Sequence, residues 1–378
     1  MSAIKQQFFK AVRGVTFALL LSPVAFAETP ANTPLGSPDL GSQMYPRLIR
    51  LAHSGEKNGT LLATFDSWAP DSVAPIFQST DDGQTWNELS RFSHRDGCCS
   101  TLYELPSSFG DNPEGTLFWA TSYQNIMESG IELWRSLDHG KSWNCYSIPV
   151  RGNTGLWEPE FAVNSAGQLQ MYYSSEEHKA DGFNQSLVVL TSKDGKTFSD
   201  EKTVVGMPDF VQRPGMPIVR QGSSGTFYLV YEICGTGCDV YFRTSKDGSD
   251  WGNPEDPGTR IVSDGKFFRH APNFTVSNTE AGDTLYMIGQ TYHNPDGTLA
   301  SNNGQVLLIG EKGGTGNWTE HPAPVQTPDP KGDLENPYDF TNYSSPLLLS
   351  QDGKALLGLG MKQQAIGLYK MFFGRTML

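Results

Sequence analysis

The stretch Ser79-Thr80-Asp81-Asp82-Gly83-Gln84-Thr85-Trp86 decides the fold, because the chain repeats it. Ser136-Leu137-Asp138-His139-Gly140-Lys141-Ser142-Trp143 is a second full copy. Thr191-Ser192-Lys193-Asp194-Gly195-Lys196-Thr197-Phe198 and Thr244-Ser245-Lys246-Asp247-Gly248-Ser249-Asp250-Trp251 are looser copies. The closing aromatics stand at 86, 143, 198 and 251, so the spacings are 57, 55 and 53. A fixed period of that size marks one supersecondary unit used repeatedly. Asp accepts backbone N–H bonds in a turn, and Gly supplies a positive φ at no steric cost. The aromatic brings a large apolar area to bury beside the turn. Each copy therefore reads as a hairpin with an aromatic anchor.

The pattern S-x-D-x-G-x-T-W resembles the Asp-box repeat of the sialidase-like β-propellers. A second repeat extends the count from four units to six. A short strand leads to a Gly-containing turn and then to an apolar strand. Arg47-Leu48-Ile49-Arg50-Leu51 leads in this way to Gly59-Thr60-Leu61-Leu62-Ala63, and Met216-Pro217-Ile218-Val219 to Gly225-Thr226-Phe227-Tyr228-Leu229-Val230-Tyr231. The turn glycines are Gly59, Gly115, Gly167, Gly225, Gly282 and Gly353. Six such units predict an all-β chain, a six-bladed β-propeller with Asp-box repeats.

That register predicts where side chains meet. Let the strands of a blade run a, b, c, d from the axis outward. Strands a and b share the glycine turn. Strand c runs parallel to a, so the c–d turn with its Asp box lies on the same face. The axial pocket then opens on the other face, at the starts of a strands and the ends of b strands. The starts offer Arg47, Glu158, Glu160, Arg213, Arg269, His270, Asn342 and Tyr343. The ends offer Asp66, Glu176, Glu177, Glu232 and Gln290. Glu176 and Glu177 read as solvated loop residues. Trp68, Tyr123, Trp157, Tyr292, Tyr338 and Phe340 fall on pocket-side segments, where aromatic rings can serve as platforms for sugar rings. Two carboxylates facing one pocket are the machinery of glycoside hydrolysis. Strand alternation puts Glu158 and Glu160 on one side, which makes Glu160 a rival to Glu158.

Residues 1–27 have the form of a secretory signal peptide. Lys5, Lys10 and Arg13 precede the apolar run 15–21, and Ala25-Phe26-Ala27 supplies the cleavage pattern. Residues 28–44, rich in Pro, Gly, Ser and Thr, read as a flexible leader, and 45–378 as the propeller domain. The run is too short for a membrane span, so a secreted, extracellular product without a membrane partner is expected. The chain carries a formal charge of −13, and removing the three basic residues of 1–27 makes it −16. Such an acidic surface argues against nucleic acid as a partner. A neutral saccharide suits it, and a monomer is expected. Five cysteines leave one over. Cys234 can bridge Cys238; Cys98 and Cys99 can bridge each other, or one can pair with Cys145. These spacings do not complete a zinc pattern, and no metal or cofactor is expected. Asn58, Asn184, Asn273, Asn317 and Asn342 begin N-glycosylation sequons.

Several runs carry a narrower resemblance. Gly155-Leu156-Trp157-Glu158-Pro159-Glu160-Phe161, Gln212-Arg213-Pro214-Gly215-Met216-Pro217 and Val230-Tyr231-Glu232 are similar, in that order, to the exo-1,5-α-L-arabinanases of glycoside hydrolase family 93. Cys98-Cys99 followed by Leu102-Tyr103-Glu104-Leu105-Pro106 is similar too. The resemblance spans roughly residues 45–375. It implies a secreted six-bladed propeller that cuts arabinobiose from arabinan ends with retention, using two glutamates. Glu158 and Glu232 match that pair. Arg47, Asp66, Trp157, Arg213, Arg269, His270 and Tyr343 are the expected substrate contacts. The chain also resembles sialidases through its Asp boxes. That likeness implies an arginine triad (Arg47, Arg213, Arg269) and Tyr343 as nucleophile. A glycan-binding propeller without catalysis is the reading from another class.

Overall fold

A computed structural model of the chain describes residues 32–68, 72–279, 282–327, 329–332 and 339–378. The signal peptide and Tyr338 lie outside the described residues. The strands form six sheets, one per blade, and three short 3₁₀ turns are the only helical elements among the described residues. Blade 1 runs Ser42–Arg50, Leu61–Trp68, Val73–Ser79 and Asn87–Ser93 as strands a to d. Blade 2 runs Gly97–Glu104, Leu117–Gln124, Ser129–Ser136 and Asn144–Gly152. Blade 3 runs Leu156–Val163, Leu169–Ser175, Ser186–Ser192 and Ser199–Gly206. Blade 4 runs Arg213–Gln221, Phe227–Cys234 and Asp239–Ser245, with the short outer strand Thr259–Arg260. Blade 5 runs Asn273–Thr279, Gly282–Ile288, Val306–Gly310 and Trp318–Pro322. Phe267–Arg269 and Thr291–His293 pair with each other between blades 4 and 5.

Blade 6 closes the ring. Leu347–Leu349, Ala355–Ala365 and Leu368–Met377 are its inner strands, and Thr33–Leu35 pairs antiparallel with the last of them. The chain's first described strand is thus the outer strand of its final blade. This corrects the boundary expected at 44/45. Thr33–Leu35 is built into a sheet, and Ser42–Met44 already belongs to blade 1. Leu35 is 2% exposed.

The six predicted turn glycines join strands a and b, and their φ values run from 70° to 107°. The box residues form the c–d turns. In blade 2, Ser136 Oγ donates to Asp138 Oδ1 (2.8 Å) and accepts Gly140 N–H (2.9 Å). Asp138 accepts Ser142 N–H (2.9 Å), and Trp143 Nε1–H caps Gly140 O (3.1 Å). The box aromatic then fills the apolar layer between its own blade and the one before. Trp143 packs with Leu62, Ile76 and Trp119, and Trp251 packs with Leu187 and Leu229. Trp318 occupies the same place in blade 5, between Phe242 and Leu308. Blade 5 keeps the aromatic of a box without its aspartate, which is why it escaped the sequence pattern. Two sequons are internal: Asn273 and Asn342 are each 1% exposed. Cys98–Cys99 and Cys234–Cys238 are disulfides, and Cys145 is a free, exposed thiol.

Closing the ring through three residues makes a direct prediction. A chain starting at residue 37 loses Leu35 and leaves the edge Leu368–Met377 unpaired. Burial of one leucine is worth about 2 kcal/mol, and each net hydrogen bond about 1 kcal/mol. The truncated protein should unfold at a clearly lower urea midpoint. An unchanged midpoint would mean that the ring closes without this strand.

Candidate active site

Each inner strand opens with an irregularity that builds the pocket floor. In blades 1 to 4 the a–b pairing skips two residues, between Met44 and Arg47, Cys98 and Thr101, Trp157 and Glu160, and Gly215 and Ile218. The first skipped residue is left-handed each time. Tyr45, Cys99, Glu158 and Met216 have φ of 53°, 70°, 62° and 57°. Ala271 and Ser344 are left-handed at the mouths of the last two blades, with φ of 45° and 52°. Such a bulge takes its N–H out of the sheet ladder, and a buried N–H must find another acceptor.

Carboxylates from the preceding blade supply that acceptor three times. Asp66 of blade 1 accepts Cys99 N–H of blade 2 at 2.5 Å. Glu158 of blade 3 accepts Met216 N–H of blade 4 at 2.7 Å. Glu232 of blade 4 accepts the N–H of Ala271, before blade 5, at 2.6 Å. Tyr45, Met216 and Ala271 also pack together at the axis, with Cys99 and Tyr343 against them. Tyr45 Oη donates to Met216 Sδ across the axis at 3.4 Å. This apolar plug floors the pocket.

Glu158 is the only carboxylate among the six left-handed residues. Burial raises its pKa, against the opposing pull of Ser174 Oγ–H (2.6 Å) and Met216 N–H, and of the charges of His270 and Arg47. Both hydrogen bonds fall on Oε2. Glu232 is 5% exposed, and its Oε1 lies 3.6 Å from His270 Nε2. A β-carbon on Gly215 would stand 3.5 Å from Glu158 Oε2 and 3.6 Å from Glu232 Oε1. The two carboxylates therefore approach within about 7 Å of each other over a bare α-carbon. Retaining glycosidases hold their pair about 5–5.5 Å apart, so the bound admits that geometry.

Other expected residues lie elsewhere. The bulge breaks the alternation that was to put Glu160 beside Glu158. Glu160 sits below the plug, paired with Arg220 and accepting Thr101 Oγ–H at 3.2 Å. Arg47 is also beneath the plug, 4% exposed, donating to Ser344 Oγ (2.9 Å) and stacked on Tyr45. The three arginines do not converge. Arg213 binds Glu176 (2.8 Å), Asn184 and Gln185, while Arg269 binds Asp239 (2.8 Å). Glu176 is thus a structural partner rather than a solvated loop residue, and Trp157 Nε1–H donates to it at 3.2 Å. His270 is 6% exposed, its Nδ1 is 2.8 Å from Gln290 Oε1, and its ring meets Tyr343 edge-on at 5.1 Å.

A groove lies beside blades 1 to 3, reaching Trp157, the neighbour of Glu158 in the chain. Asp66, Trp68, Cys98, Tyr123 and Trp157 line this groove of about 450 Å³. Trp68 is 57% exposed, and its edge meets Phe340. Tyr292 is fully buried against Phe268 and belongs to the core. Sequence reasoning missed Ser174, Gln185 and Gly215. Ser174 had a signal: Asp66, Ser122, Ser174 and Glu232 each follow their turn glycine by seven residues. Gly215 had none, since only the fold brings it between the carboxylates.

The fold and the paired carboxylates at its axis define a six-bladed propeller of the glycoside-hydrolase type. Solved structures sharpen that class. The chain is similar to the Penicillium chrysogenum α-L-arabinanase complexed with arabinobiose, with 25% identity and a TM-score of 0.74. The similarity covers 92% of this chain and 97% of that one. The glycoside hydrolase family 93 α-L-arabinofuranosidase of Fusarium graminearum, also with arabinobiose, has the same fold at 24% identity, with a TM-score of 0.72 and the same coverage. A Hadza microbial sialidase shares the fold at 14% identity and a TM-score of 0.53, over 89% of this chain and 66% of that one. No protein-family model matches the sequence, and no curated protein does.

Two predictions follow from this geometry. In Gly215→Ala the new methyl group meets Gln185 Nε2 at 3.0 Å, a contact a side-chain amide can yield to, but it stands in the space between the carboxylates. Turnover should fall at least tenfold with little change in melting temperature; full turnover would show that reacting atoms do not pass there. Burial pushes the Asp66 carboxyl up to about 6 against its hydrogen bonds from Ser100 and Cys99. A folded value above the unfolded 3.8 gives a contribution fully present below that value and lost as pH rises through about 6. The melting temperature of Asp66→Asn should therefore change less than the parent's between about pH 4 and about pH 7. Parallel curves would contradict the buried site.

Proposed function

We propose that the protein is an exported glycoside hydrolase that works from the ends of α-1,5-linked L-arabinan, releasing arabinobiose with retention at the anomeric carbon. One observation carries the reading: Glu158, half-buried, and Glu232, 5% exposed, flank the bare α-carbon of Gly215 at the propeller axis. Three features support the substrate. The groove beside the pair offers Trp68 and Trp157 to sugar rings. Cys98, half of the Cys98–Cys99 disulfide, is part of its lining and adds apolar surface without charge. The arabinobiose complexes belong to structures that share the fold over almost the whole chain.

In this chemistry one glutamate attacks the anomeric carbon while the other protonates the departing oxygen. The second then takes a proton from water as that water releases the sugar. The bulge suits Glu158 to such work, because two donors fix Oε2 and orient the carboxylate. Glu232 has the apolar plug on one side and the His270 imidazole on the other. A sialidase needs three guanidiniums around one carboxylate, and Arg47, Arg213 and Arg269 are each committed to separate partners. Two disulfides support an oxidising destination for the chain.

Glu158→Gln and Glu232→Gln should each lower hydrolysis of linear arabinan at least a hundredfold with an unchanged circular dichroism spectrum. Near-normal rates in both would sink the assignment. Proton NMR of the first product should show the substrate's anomeric configuration. Sialic acid released from sialyl-lactose would favour the sialidase reading, and binding of arabinan without turnover would favour a glycan-binding propeller.

A further inference from the structure

Four potential metal ligands meet at one wall of this pocket. Sγ of Cys234 and Cys238, a carboxylate oxygen of Glu232 and a ring nitrogen of His270 all lie within 4.8 Å of one another. In the oxidised chain the two sulfurs are bonded to each other and offer no thiolate. We infer that reducing this disulfide creates a Cys₂-His-Glu site for a zinc-type cation, and that the disulfide keeps such a cation away from Glu232.

The donor set fits the ion. Zinc takes thiolate, imidazole and carboxylate ligands in a tetrahedron, with bonds of about 2.0–2.3 Å. Such bonds put neighbouring ligand atoms about 3–4 Å apart. The His270 ring is already oriented. Gln290 Nε2–H donates to Asp339 O at 2.7 Å, which turns Gln290 Oε1 toward His270 Nδ1 at 2.8 Å. With Nδ1 held by that acceptor, Nε2, which faces Glu232 Oε1 at 3.6 Å, is the ring nitrogen a cation would take, displacing its proton. Glu232 Oε1 also lies 3.3 Å from Cys234 Sγ, so one oxygen faces two of the other ligands. Access comes from the loop Gly235-Thr236-Gly237: its first two residues are exposed, and Cys234 is only half-buried. His270 and Glu232 are far from the cysteines in sequence, so spacing alone could not complete the set.

The chemistry balances with a phosphine reductant. The phosphine breaks the S–S bond and takes oxygen from water to become a phosphine oxide, leaving two protein thiols. Cation binding then releases both thiol protons, with the proton of His270 Nε2, and gives two thiolates. Cobalt(II) is the probe, because thiolate coordination gives it an intense near-ultraviolet charge-transfer band. Phosphine-reduced protein should bind one cobalt per chain with that band, and zinc should erase it. Oxidised protein should show no band. Cys238→Ser should lose it after reduction. Cys145→Ser should keep it, as should the double variant Cys98→Ser/Cys99→Ser. Zinc should also lower arabinan hydrolysis by the reduced protein at least tenfold, with recovery on chelation. A reduced chain without the band would overturn the inference, as would a band that survives unchanged in Cys238→Ser or His270→Ala. The oxidised-against-reduced comparison needs no variant to fold. The cobalt spectrum reads the site even if arabinan is not the substrate.

Discussion

The pocket depends on one backbone constraint: a left-handed residue at the mouth of each inner strand, set in a bulge in blades 1 to 4. Six strands converge on the axis, and a regular ladder would carry their side chains in strict alternation through it. The bulge interrupts that alternation at one level. A residue in this conformation costs about 1–3 kcal/mol, and it persists only where its surroundings hold it. Here the holding contacts are visible. Asp66, Glu158 and Glu232 accept the bulge N–H groups of the next blade, while Tyr45, Met216 and Ala271 pack into a plug. Strain alone therefore does not single out Glu158, since its five counterparts share the conformation. What singles it out is a carboxylate where the others present an aromatic ring, a thioether, a methyl, a hydroxyl or half of a disulfide.

The plug also sorts the charges. Above it are Glu158, Glu232 and His270, with Glu232 Oε1 3.6 Å from His270 Nε2. Below it, Glu160 has Arg220, and Arg47 bonds to Ser344 and stacks on Tyr45. Below the plug, Glu160 and Arg220 thus neutralise each other without a ligand. At the rim, Glu176 is paired with Arg213 and Lys179, and Asp239 with Arg269 and Arg260. A carboxylate with a full cationic partner is held ionised and is poorly placed to give or take a proton. Above the plug, Glu158 accepts from Ser174 Oγ–H and Met216 N–H, and Glu232 from Ala271 N–H.

Much of this was legible in the sequence, and the illegible part has a physical reason. The box aromatics and turn glycines repeat because every blade must bury the same layer and turn the same corner. They gave the blade count and the face on which the carboxylates lie. The failures trace to backbone irregularity and pairing. Alternation counted from Phe161 back through Glu160 predicts Glu158 on the same side, and the skipped pair between Trp157 and Glu160 undoes it. The arginines were expected to converge because each begins or nears an inner strand, but a long side chain can reach a rim carboxylate as easily as the axis. Composition suggested a loose leader at 28–44, yet Thr33–Leu35 is held by a sheet edge supplied from residues 371–373, a partner no local pattern reveals. Trp318 was overlooked because its turn lost the aspartate while its packing role remained.

The position of the pair in the ring follows from how the ring is closed. Blades 2 to 5 take all their strands from contiguous stretches of chain, whereas blade 6 relies on a non-covalent strand from the other end. In a ring of six, blade 3 faces blade 6 and blade 4 faces blade 1. Glu158 and Glu232 stand on blades 3 and 4, opposite the seam. Their blades are joined directly by residues 207–212, and Asp209 caps that connection by accepting Val211 N–H at 3.1 Å. Local opening is easiest where few residues hold an edge, here the three pairs between Thr33–Leu35 and the last strand. The 3–4 interface is held by a layer of Tyr172, Leu187, Val189, Leu229 and Trp251. The hydrogen bond from Met216 N–H to Glu158 ties the two blades at the level where their carboxylates meet.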